Sequence, residues 1–285
     1  MYQRKRAASA HTRRRRSSLP PAFAALVCLA AALLALGSAS QPDPAQVPEH
    51  QSGAAASSAP SPEPSPAPSP EPSRTPDRNS WKLTLVNRWN PLPESWHAYL
   101  LQLSNGLYVD ERCYPDLQDM MDDCRAAGLS PKICSAYRTR ETQERLYQNE
   151  VSAQMALGLS QERAREEAGK AVALPGTSEH QLGLALDIVD VNDQHLDRSQ
   201  EDTPVQRWLM AHSWEYGFIL RYPGGKSDIT GIIYEPWHYR YVGKEAAREI
   251  YESGLCLEEY ADFLSGGPRS CTLPNGRRVR VFRLP

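Results

Sequence analysis

Two residues with metal-binding side chains lie close together in an otherwise apolar part of the sequence. His180 follows a turn-prone Pro-Gly-Thr-Ser stretch, and Asp187 lies seven residues further on, among Leu, Ile and Val residues. A carboxylate in such a strand is costly to bury unless a metal ion or an arginine neutralises it. Gly183 and Ala185 keep the strand narrow, so that a ligand or another backbone can approach it closely. From this segment alone, a buried Asp–Arg pair and a surface histidine are an open alternative to a metal site.

A second segment adds another histidine and another acid. His238 follows Trp237, and Glu235 lies three residues before the histidine, with Pro236 restricting the backbone between them. Two histidines and one carboxylate leave a fourth position open on tetrahedral zinc, as catalytic zinc sites require. A carboxylate that is not a ligand can then act as the general base, a role that suits Glu235 and, less well, Glu179. The alternative for Glu235 is an exposed loop acid, and the alternative for His238 is a histidine packed in the core.

Both segments resemble the D-alanyl-D-alanine carboxypeptidase family of zinc peptidases, the VanY type. The family motif Ser-x-His-x-x-Gly-x-Ala-x-Asp is met at every fixed position by Ser178, His180, Gly183, Ala185 and Asp187. The second motif, Glu-x-Trp-His-x-Arg-Tyr-Val-Gly, is met by Glu235, Trp237, His238, Arg240, Tyr241, Val242 and Gly243. Residues 135–138 (Ser-Ala-Tyr-Arg) and 216–223 also look like the family. The resemblance covers residues 83–264 in the family's order and spacing.

The resemblance implies a fold and a metal centre. The implied fold is α+β, a single compact domain of the Hedgehog/D-Ala-D-Ala peptidase kind, with a small antiparallel sheet flanked by helices. The implied cofactor is one Zn²⁺ per chain, bound by His180, Asp187 and His238. The implied catalytic base is Glu235, which would take a proton from the attacking water and pass it to the leaving amine.

An exopeptidase also needs a cation for the C-terminal carboxylate of its substrate. A planar arginine suits this purpose, because its guanidinium can hold a carboxylate with two parallel hydrogen bonds. Given the resemblance, we expect Arg138 to be this clamp and Gln143 and Ser178 to donate hydrogen bonds to the substrate. The alternatives are a surface arginine at a helix start and a serine that only stabilises its turn.

The elements that must position these residues mix helices and short strands without a regular alternation. Apolar spacing predicts helices over residues 114–128, 139–168, 204–216 and 244–253, of which the second can be interrupted. Strand-like segments occur at residues 134–137, 184–191 and 232–242. Gly169, Gly217 and Gly254 are the expected helix stops. This mixture indicates an α+β fold with an antiparallel sheet.

The first 79 residues differ in composition from the rest. Seven basic and no acidic residues occur in the first 39, and residues 22–36 form an apolar run, the layout of an export signal. Cleavage after Ala39 and retention as a membrane anchor are both open, although a membrane span needs about 20 residues. Eleven prolines follow between Pro42 and Pro76. We predict a signal or anchor (1–39), a disordered linker (40–79) and a zinc carboxypeptidase domain (80–285).

Composition excludes several classes of protein. Beyond residue 39, 34 acidic residues outnumber 25 basic ones, which argues against binding to nucleic acid. The chain is 40% hydrophobic and has one long apolar run, so it is neither wholly disordered nor a polytopic membrane protein. No C-x-x-C spacing occurs among the five later cysteines, and both disulfides and buried thiols are open for Cys113, Cys124, Cys134, Cys256 and Cys271.

The sequence therefore predicts an exported, monomeric zinc peptidase that removes the C-terminal D-Ala from peptidoglycan stem peptides. It would be secreted or held at the membrane by its N-terminal segment, and it would face the cell wall. An L,D-carboxypeptidase or a D,D-dipeptidase would share the metal site and differ in the shape of the pocket. A catalytically silent cell-wall binding module is the alternative from another class, but it needs neither an open metal position nor a base. A signalling domain of the Hedgehog type has no evident use for the Arg138 clamp.

Overall fold

The computed structural model describes Asp77, residues 80–266 and the backbone of two further strands. The predicted signal or anchor lies outside the described residues, as does all of the predicted linker except Asp77. No helix in the described part is both long enough and apolar enough to cross a membrane. The α-helices are α1 Tyr114–Ala126, α2 Arg140–Ala156, α3 Gln161–Ala171, α4 Pro204–His212, α5 Ser227–Thr230, α6 Lys244–Ser253 and α7 Leu257–Leu264.

The strands form three antiparallel sheets. Their bounds are β1 Leu100–Gln102, β2 Tyr108–Asp110, β3 Pro131–Ser135, β4 Ala185–Asp190, β5 Phe218–Leu220, β6 His238–Tyr241, β7 Arg269–Thr272 and β8 Arg278–Val281. The central sheet has four strands in the order β3-β4-β6-β5, and the pairs β1-β2 and β7-β8 stand apart from it. The predicted α+β fold with a small antiparallel sheet and flanking helices is confirmed.

The register of the central sheet brings the chemistry-bearing residues to one face. Asp187 of β4 lies opposite His238 of β6, and Ala185 lies opposite Arg240. Successive side chains of a strand point to opposite faces, so Asp187, His238 and Arg240 share a face. The other face is apolar and carries Leu186, Ile188, Tyr239 and Tyr241.

Apolar packing covers the sheet and holds it in place. The main core joins the apolar face to α1 and α4, with Leu117, Met120 and Leu209 fully buried there. A second cluster packs α6 and α7 around Ile219 of β5, and a small third cluster joins α2 to α3. The thiols of Cys113, Cys124, Cys134 and Cys256 are free, whereas the side chain of Cys271 lies outside the described residues.

The predicted elements agree with the structure except in three places. The interruption left open in the helix predicted over residues 139–168 is present and divides it into α2 and α3, because Gly158 has a φ of +92° and Ser160 caps α3. Gly169 was expected to stop that helix, yet it lies within α3. Between residues 232 and 242 only β6 is extended, and β3 lies at Pro131–Ser135 rather than at residues 134–137.

Gly183 is required where the chain enters β4 from the short 3₁₀ helix Glu179–Leu182. Its φ is +77°, and a Cβ there would lie 3.1 Å from the backbone nitrogen of Asp110. At Gly158 the φ is also positive, but a Cβ would meet nothing within 4 Å. We expect Gly183→Ala to lower the free energy of unfolding by about 1–3 kcal/mol and Gly158→Ala by less, as measured by urea denaturation. Equal losses would mean that backbone strain alone, and not close packing, requires glycine at position 183.

Candidate active site

The His180 ring lies between the backbone carbonyl of Ala136 and the carboxylate of Asp187. It lies in the 3₁₀ helix Glu179–Leu182 and is almost fully buried. Its Nδ1 lies 2.7 Å from the carbonyl oxygen of Ala136. A carbonyl can only accept, so Nδ1 donates, and Nε2 carries the lone pair. This Nε2 lies 3.3 Å from Oδ2 of Asp187.

Asp187 and His238 face each other across β4 and β6. Oδ1 of Asp187 lies 3.1 Å from Nδ1 of His238, yet Oδ1 has no hydrogen-bond partner among the described residues. The rings of His180 and His238 meet nearly at right angles, with centroids 4.8 Å apart. One ligand atom from each of these three residues lies within 4.8 Å of the others. The structure thus brings together all three residues that the sequence predicts as metal ligands.

The donor set fits a zinc ion. Zinc binds nitrogen and carboxylate oxygen at about 2.0–2.2 Å, which places neighbouring ligand atoms of a tetrahedron about 3.4 Å apart. Oδ1 of Asp187 lies 3.1 Å from Nδ1 of His238, and the other oxygen, Oδ2, lies 3.3 Å from Nε2 of His180. A buried carboxylate oxygen without a donor is costly, and a cation at Oδ1 would remove that cost. Three protein ligands leave one tetrahedral position open for water or substrate.

Glu235 lies beside the same nitrogen of His238 that faces Asp187. Its Oε2 is 3.5 Å from Nδ1 of His238, and the side chain is buried in the loop that precedes β6. Burial raises the pKa of Glu235 to about 8; the His238 charge opposes this rise and the Asp187 carboxylate adds to it. A carboxyl group with a pKa near neutrality is well suited to take up and release a proton.

Glu179 lies on the opposite side of His238. Its Oε2 is 3.8 Å from Nε2 of His238, and its Oε1 accepts hydrogen bonds of 2.8 Å from both Arg221 and Arg240. Burial alone would raise its pKa, but the two guanidinium groups hold that pKa well below its usual range. Glu179 is therefore less suited than Glu235 to take up a proton as the catalytic base. Arg240 is thus paired with a buried acid.

The charges around the three donors set their protonation. Burial and then Arg138 lower the pKa of His180 to about 4. Burial alone would lower that of His238 as well, but Asp187 and Glu179 raise it to about 9. Burial alone would raise the pKa of Asp187, yet His180, His238 and Arg138 hold it well below its usual range. At neutral pH His180 is thus neutral and Asp187 ionised, as metal binding requires, and His238 has a proton to release.

Arg138 lies next to the metal ligands, just after β3. Its Nη2 donates to Oδ2 of Asp187 at 2.7 Å, and its Nε donates to the hydroxyl of Ser135 at 2.9 Å. The exposed fraction of its side chain is 18%. The guanidinium is therefore within the site and partly accessible to a ligand, as the substrate clamp would have to be.

Gln143 and Ser178, the other two predicted substrate-binding residues, are both buried. The amide nitrogen of Gln143 donates to the carbonyl of Ala173 at 2.7 Å, and its oxygen accepts from Arg138 at 3.4 Å. Gln143 thus contacts Arg138, and the described hydrogen bonds of its side chain do not include any of the three metal-donor residues. Ser178 precedes the 3₁₀ helix, but its hydroxyl makes no capping hydrogen bond to it.

Two buried residues that lie outside the donor cluster but next to Glu179 or its partner were missed by the sequence analysis. Arg221 and Glu258 are both buried, and two hydrogen bonds of 2.8 and 2.6 Å join them behind Glu179. Arg221 falls in the segment 216–223, and an arginine directly after the apolar Phe-Ile-Leu of β5 was the available signal. Nothing in the sequence pointed to Glu258, which lies in α7, far along the chain.

The arrangement of an open three-ligand metal site beside a buried acid is that of the mononuclear metallohydrolases. Within this class, the family profile VanY, D-alanyl-D-alanine carboxypeptidase, matches residues 106–244. A D-alanyl-D-alanine carboxypeptidase of Enterococcus faecalis is 50% identical over 184 residues, which are 65% of this chain and 67% of that protein. The chain belongs to the VanY family of D-alanyl-D-alanine carboxypeptidases.

Two solved structures are similar over the same region. One is a mutant of the vancomycin resistance D,D-pentapeptidase VanY from a VanB-type resistance cassette, in complex with Zn(II). It is 49% identical, with a TM-score of 0.59, and the match covers 64% of this chain and 99% of that one. The other is VanYB in complex with D-alanine-D-alanine, 49% identical with a TM-score of 0.60, covering 64% of this chain and 98% of that one.

Proposed function

We propose that this protein is a zinc-dependent D-alanyl-D-alanine carboxypeptidase that removes the C-terminal D-Ala from peptidoglycan stem peptides. The observation that carries the proposal is the cluster of His180, Asp187 and His238, which has one open position and Glu235 beside it. The family, and the zinc and D-alanine-D-alanine bound by the similar structures, support this activity. A silent binding module would have no use for a buried acid beside an open metal position.

Each residue of the site has a separate task in this reaction. His180, Asp187 and His238 hold the zinc ion. A zinc ion held by these residues would polarise the scissile carbonyl and lower the pKa of a bound water. Glu235 accepts a proton from the attacking water and returns it to the nitrogen of the departing D-Ala. Burial of Glu235 favours this exchange, because its raised pKa makes both steps accessible near neutral pH.

Arg138 binds the C-terminal carboxylate of the substrate in this proposal. Its guanidinium is partly exposed and lies against Asp187, so a carboxylate held by it would place the terminal peptide bond near the metal. Gln143 supports the clamp, since its side-chain oxygen accepts from that guanidinium. The Ser178 hydroxyl, which is not used to cap its helix, adds a hydrogen bond to the same substrate carboxylate.

The N-terminal part of the chain delivers this activity to the cell wall. We propose that residues 1–39 act as an export signal or membrane anchor and residues 40–79 as an extended spacer. The composition supports this arrangement, because a basic block, an apolar run and a proline-rich stretch follow one another in that order. Residues 80–285 would then be the catalytic domain, acting outside the cytoplasm.

Mass spectrometry of stem peptides tests the activity and its specificity. The purified protein is incubated with muramyl pentapeptide and, separately, with muramyl tetrapeptide, each with and without EDTA. We expect the pentapeptide to lose one alanine, the loss to stop with EDTA, and zinc to restore it. Cleavage of the tetrapeptide alone would indicate an L,D-carboxypeptidase, and release of D-Ala-D-Ala would indicate a dipeptidase. Binding of peptidoglycan that survives EDTA, without hydrolysis at any zinc concentration, would favour the silent module.

Replacing Arg138 with lysine should weaken substrate binding more than it slows the chemical step. Lysine keeps the charge but loses the paired hydrogen bonds to a carboxylate, which are worth about 1.5–3 kcal/mol. We expect Arg138→Lys to lower kcat/KM by about 10–100-fold, mainly through KM, with little change in zinc content. Arg140→Lys, at the exposed start of α2, is the matched control. An unchanged KM in the Arg138 variant would remove this residue from the role of clamp.

A further inference from the structure

Two buried atoms face each other behind the metal site without a hydrogen bond. They are Oε2 of Glu179 and Nε2 of His238, 3.8 Å apart. Within the described residues, both belong to the three buried side-chain nitrogen or oxygen atoms that lack a hydrogen-bond partner. The third is Oδ1 of Asp187, on the metal side of the same histidine ring. Two of the three therefore lie on the Nε2 side of His238, and the reaction proposed above assigns no role to either atom.

The position of Glu179 is determined by a buried network of charges. Its Oε1 accepts from Nε of Arg221 and from Nη1 of Arg240, both at 2.8 Å. Arg221 is held in turn by Glu258 of α7, and Arg240 donates to the backbone carbonyls of Lys82 and Thr84. Because Oε1 is held by two donors, the carboxylate has one orientation, in which Oε2 points to His238.

The two nitrogens of His238 have different surroundings. Nδ1 faces Asp187 at 3.1 Å and Glu235 at 3.5 Å, on the side where the metal donors converge. Nε2 faces Glu179. A neutral imidazole carries one proton, so a lone pair at Nδ1 requires the proton to be at Nε2. An acceptor beside Nε2 stabilises that tautomer, and among the described residues the only carboxylate oxygen within 4.0 Å of Nε2 is Oε2 of Glu179.

We propose that Glu179 is a positioning residue for the metal centre: its carboxylate accepts the Nε2 proton of His238 and so keeps the Nδ1 lone pair directed at zinc. This inference rests on the proposed zinc site and extends it to a residue that touches neither metal nor substrate. A histidine ligand is commonly oriented by a carboxylate on its second nitrogen, and loss of that partner typically lowers metal affinity by 10–100-fold.

Glu179→Gln tests the proposal with almost no change in side-chain volume. Arg221 and Arg240 are donors, so they require the amide oxygen at the Oε1 position, which places the amide NH₂ at the position of Oε2. That group is a donor and opposes a proton on Nε2, so the favoured tautomer of His238 shifts to the one with a protonated Nδ1. We expect the dissociation constant for Zn²⁺, measured by competition with a chromophoric chelator, to rise about 10–100-fold.

Glu258→Gln is the matched control, because it removes a carboxylate from the same network without changing the atom that faces His238. It should leave the dissociation constant for Zn²⁺ within a few-fold of the unmodified protein. An equal weakening in both variants would mean that Glu179 acts only through general stability, and the proposal would be wrong. His238→Ala separates the two proposals: if it too leaves zinc affinity unchanged, the zinc site itself is misassigned.

A measurement on the unmodified protein does not depend on how the variants fold. Nitrogen-15 NMR of the histidine rings in the zinc-loaded protein reports which nitrogen carries the proton. We expect His238 to show a protonated Nε2 whose hydrogen exchanges slowly and resonates downfield, as a hydrogen bond to a buried carboxylate requires. A rapidly exchanging hydrogen, or a protonated Nδ1 with the metal on Nε2, would overturn the role assigned to Glu179.

Discussion

Glu235→Gln should leave zinc bound and lower kcat by a factor of about 10²–10⁴, the usual contribution of a general base. Glutamine has nearly the same shape as glutamate but does not accept a proton at neutral pH. Glu235 lies within 3.5 Å of Nδ1 of His238, yet it is outside the three-residue donor set, so its neutralisation should spare the metal. Steady-state kinetics on the pentapeptide and zinc content by elemental analysis measure the two quantities.

The matched control for this change is Glu252→Gln. Glu252 is an exposed residue of α6 that pairs with Arg248, so its replacement should alter neither rate nor zinc content. If Glu235→Gln retained full activity, another group would have to be the base. A large loss of zinc in the variant would instead place Glu235 among the ligands.

His238→Ala should have the second large effect, lowering zinc occupancy and activity together. The side chain supplies one of three protein ligands, and its loss leaves the buried Asp187 carboxylate with fewer groups to balance its charge. We expect zinc content after dialysis to fall well below one ion per chain, and kcat/KM to fall by at least the 10²–10⁴ expected for Glu235→Gln. Excess zinc in the assay should restore part of the activity, because the other two ligands remain.

His212→Ala is the control for loss of a histidine. His212 lies at the end of α4 beside Glu215, with nearly half of its side chain exposed, and it is remote from the donor cluster. Its replacement should leave zinc content and activity unchanged. Full zinc occupancy in the His238 variant would show that the ligand set is wrong, whatever the effect on rate.

Much of the site could be predicted because its residues lie in two short segments. In β4 and β6 the alternation of side chains puts Asp187 and His238 on one face of the sheet, opposite the face that carries Leu186, Ile188, Tyr239 and Tyr241. Apolar spacing and glycine stops likewise located α1 and α6. The interruption left open within residues 139–168 could not be located from the sequence, because local apolar spacing continues across the turn at Gly158 that separates α2 from α3.

The sequence by itself determined which residue types meet at the site, since motif spacing and strand periodicity are local properties. Only the tertiary structure decided which side of His238 each acid occupies: Glu235 lies at Nδ1 and Glu179 at Nε2. That difference depends on strand register and on Arg221 and Glu258, which reach the site from distant parts of the chain. Burial in the folded protein also raises the pKa of Glu235, while the arginines lower that of Glu179. Two carboxylates of the same residue type therefore differ in how readily they take up a proton.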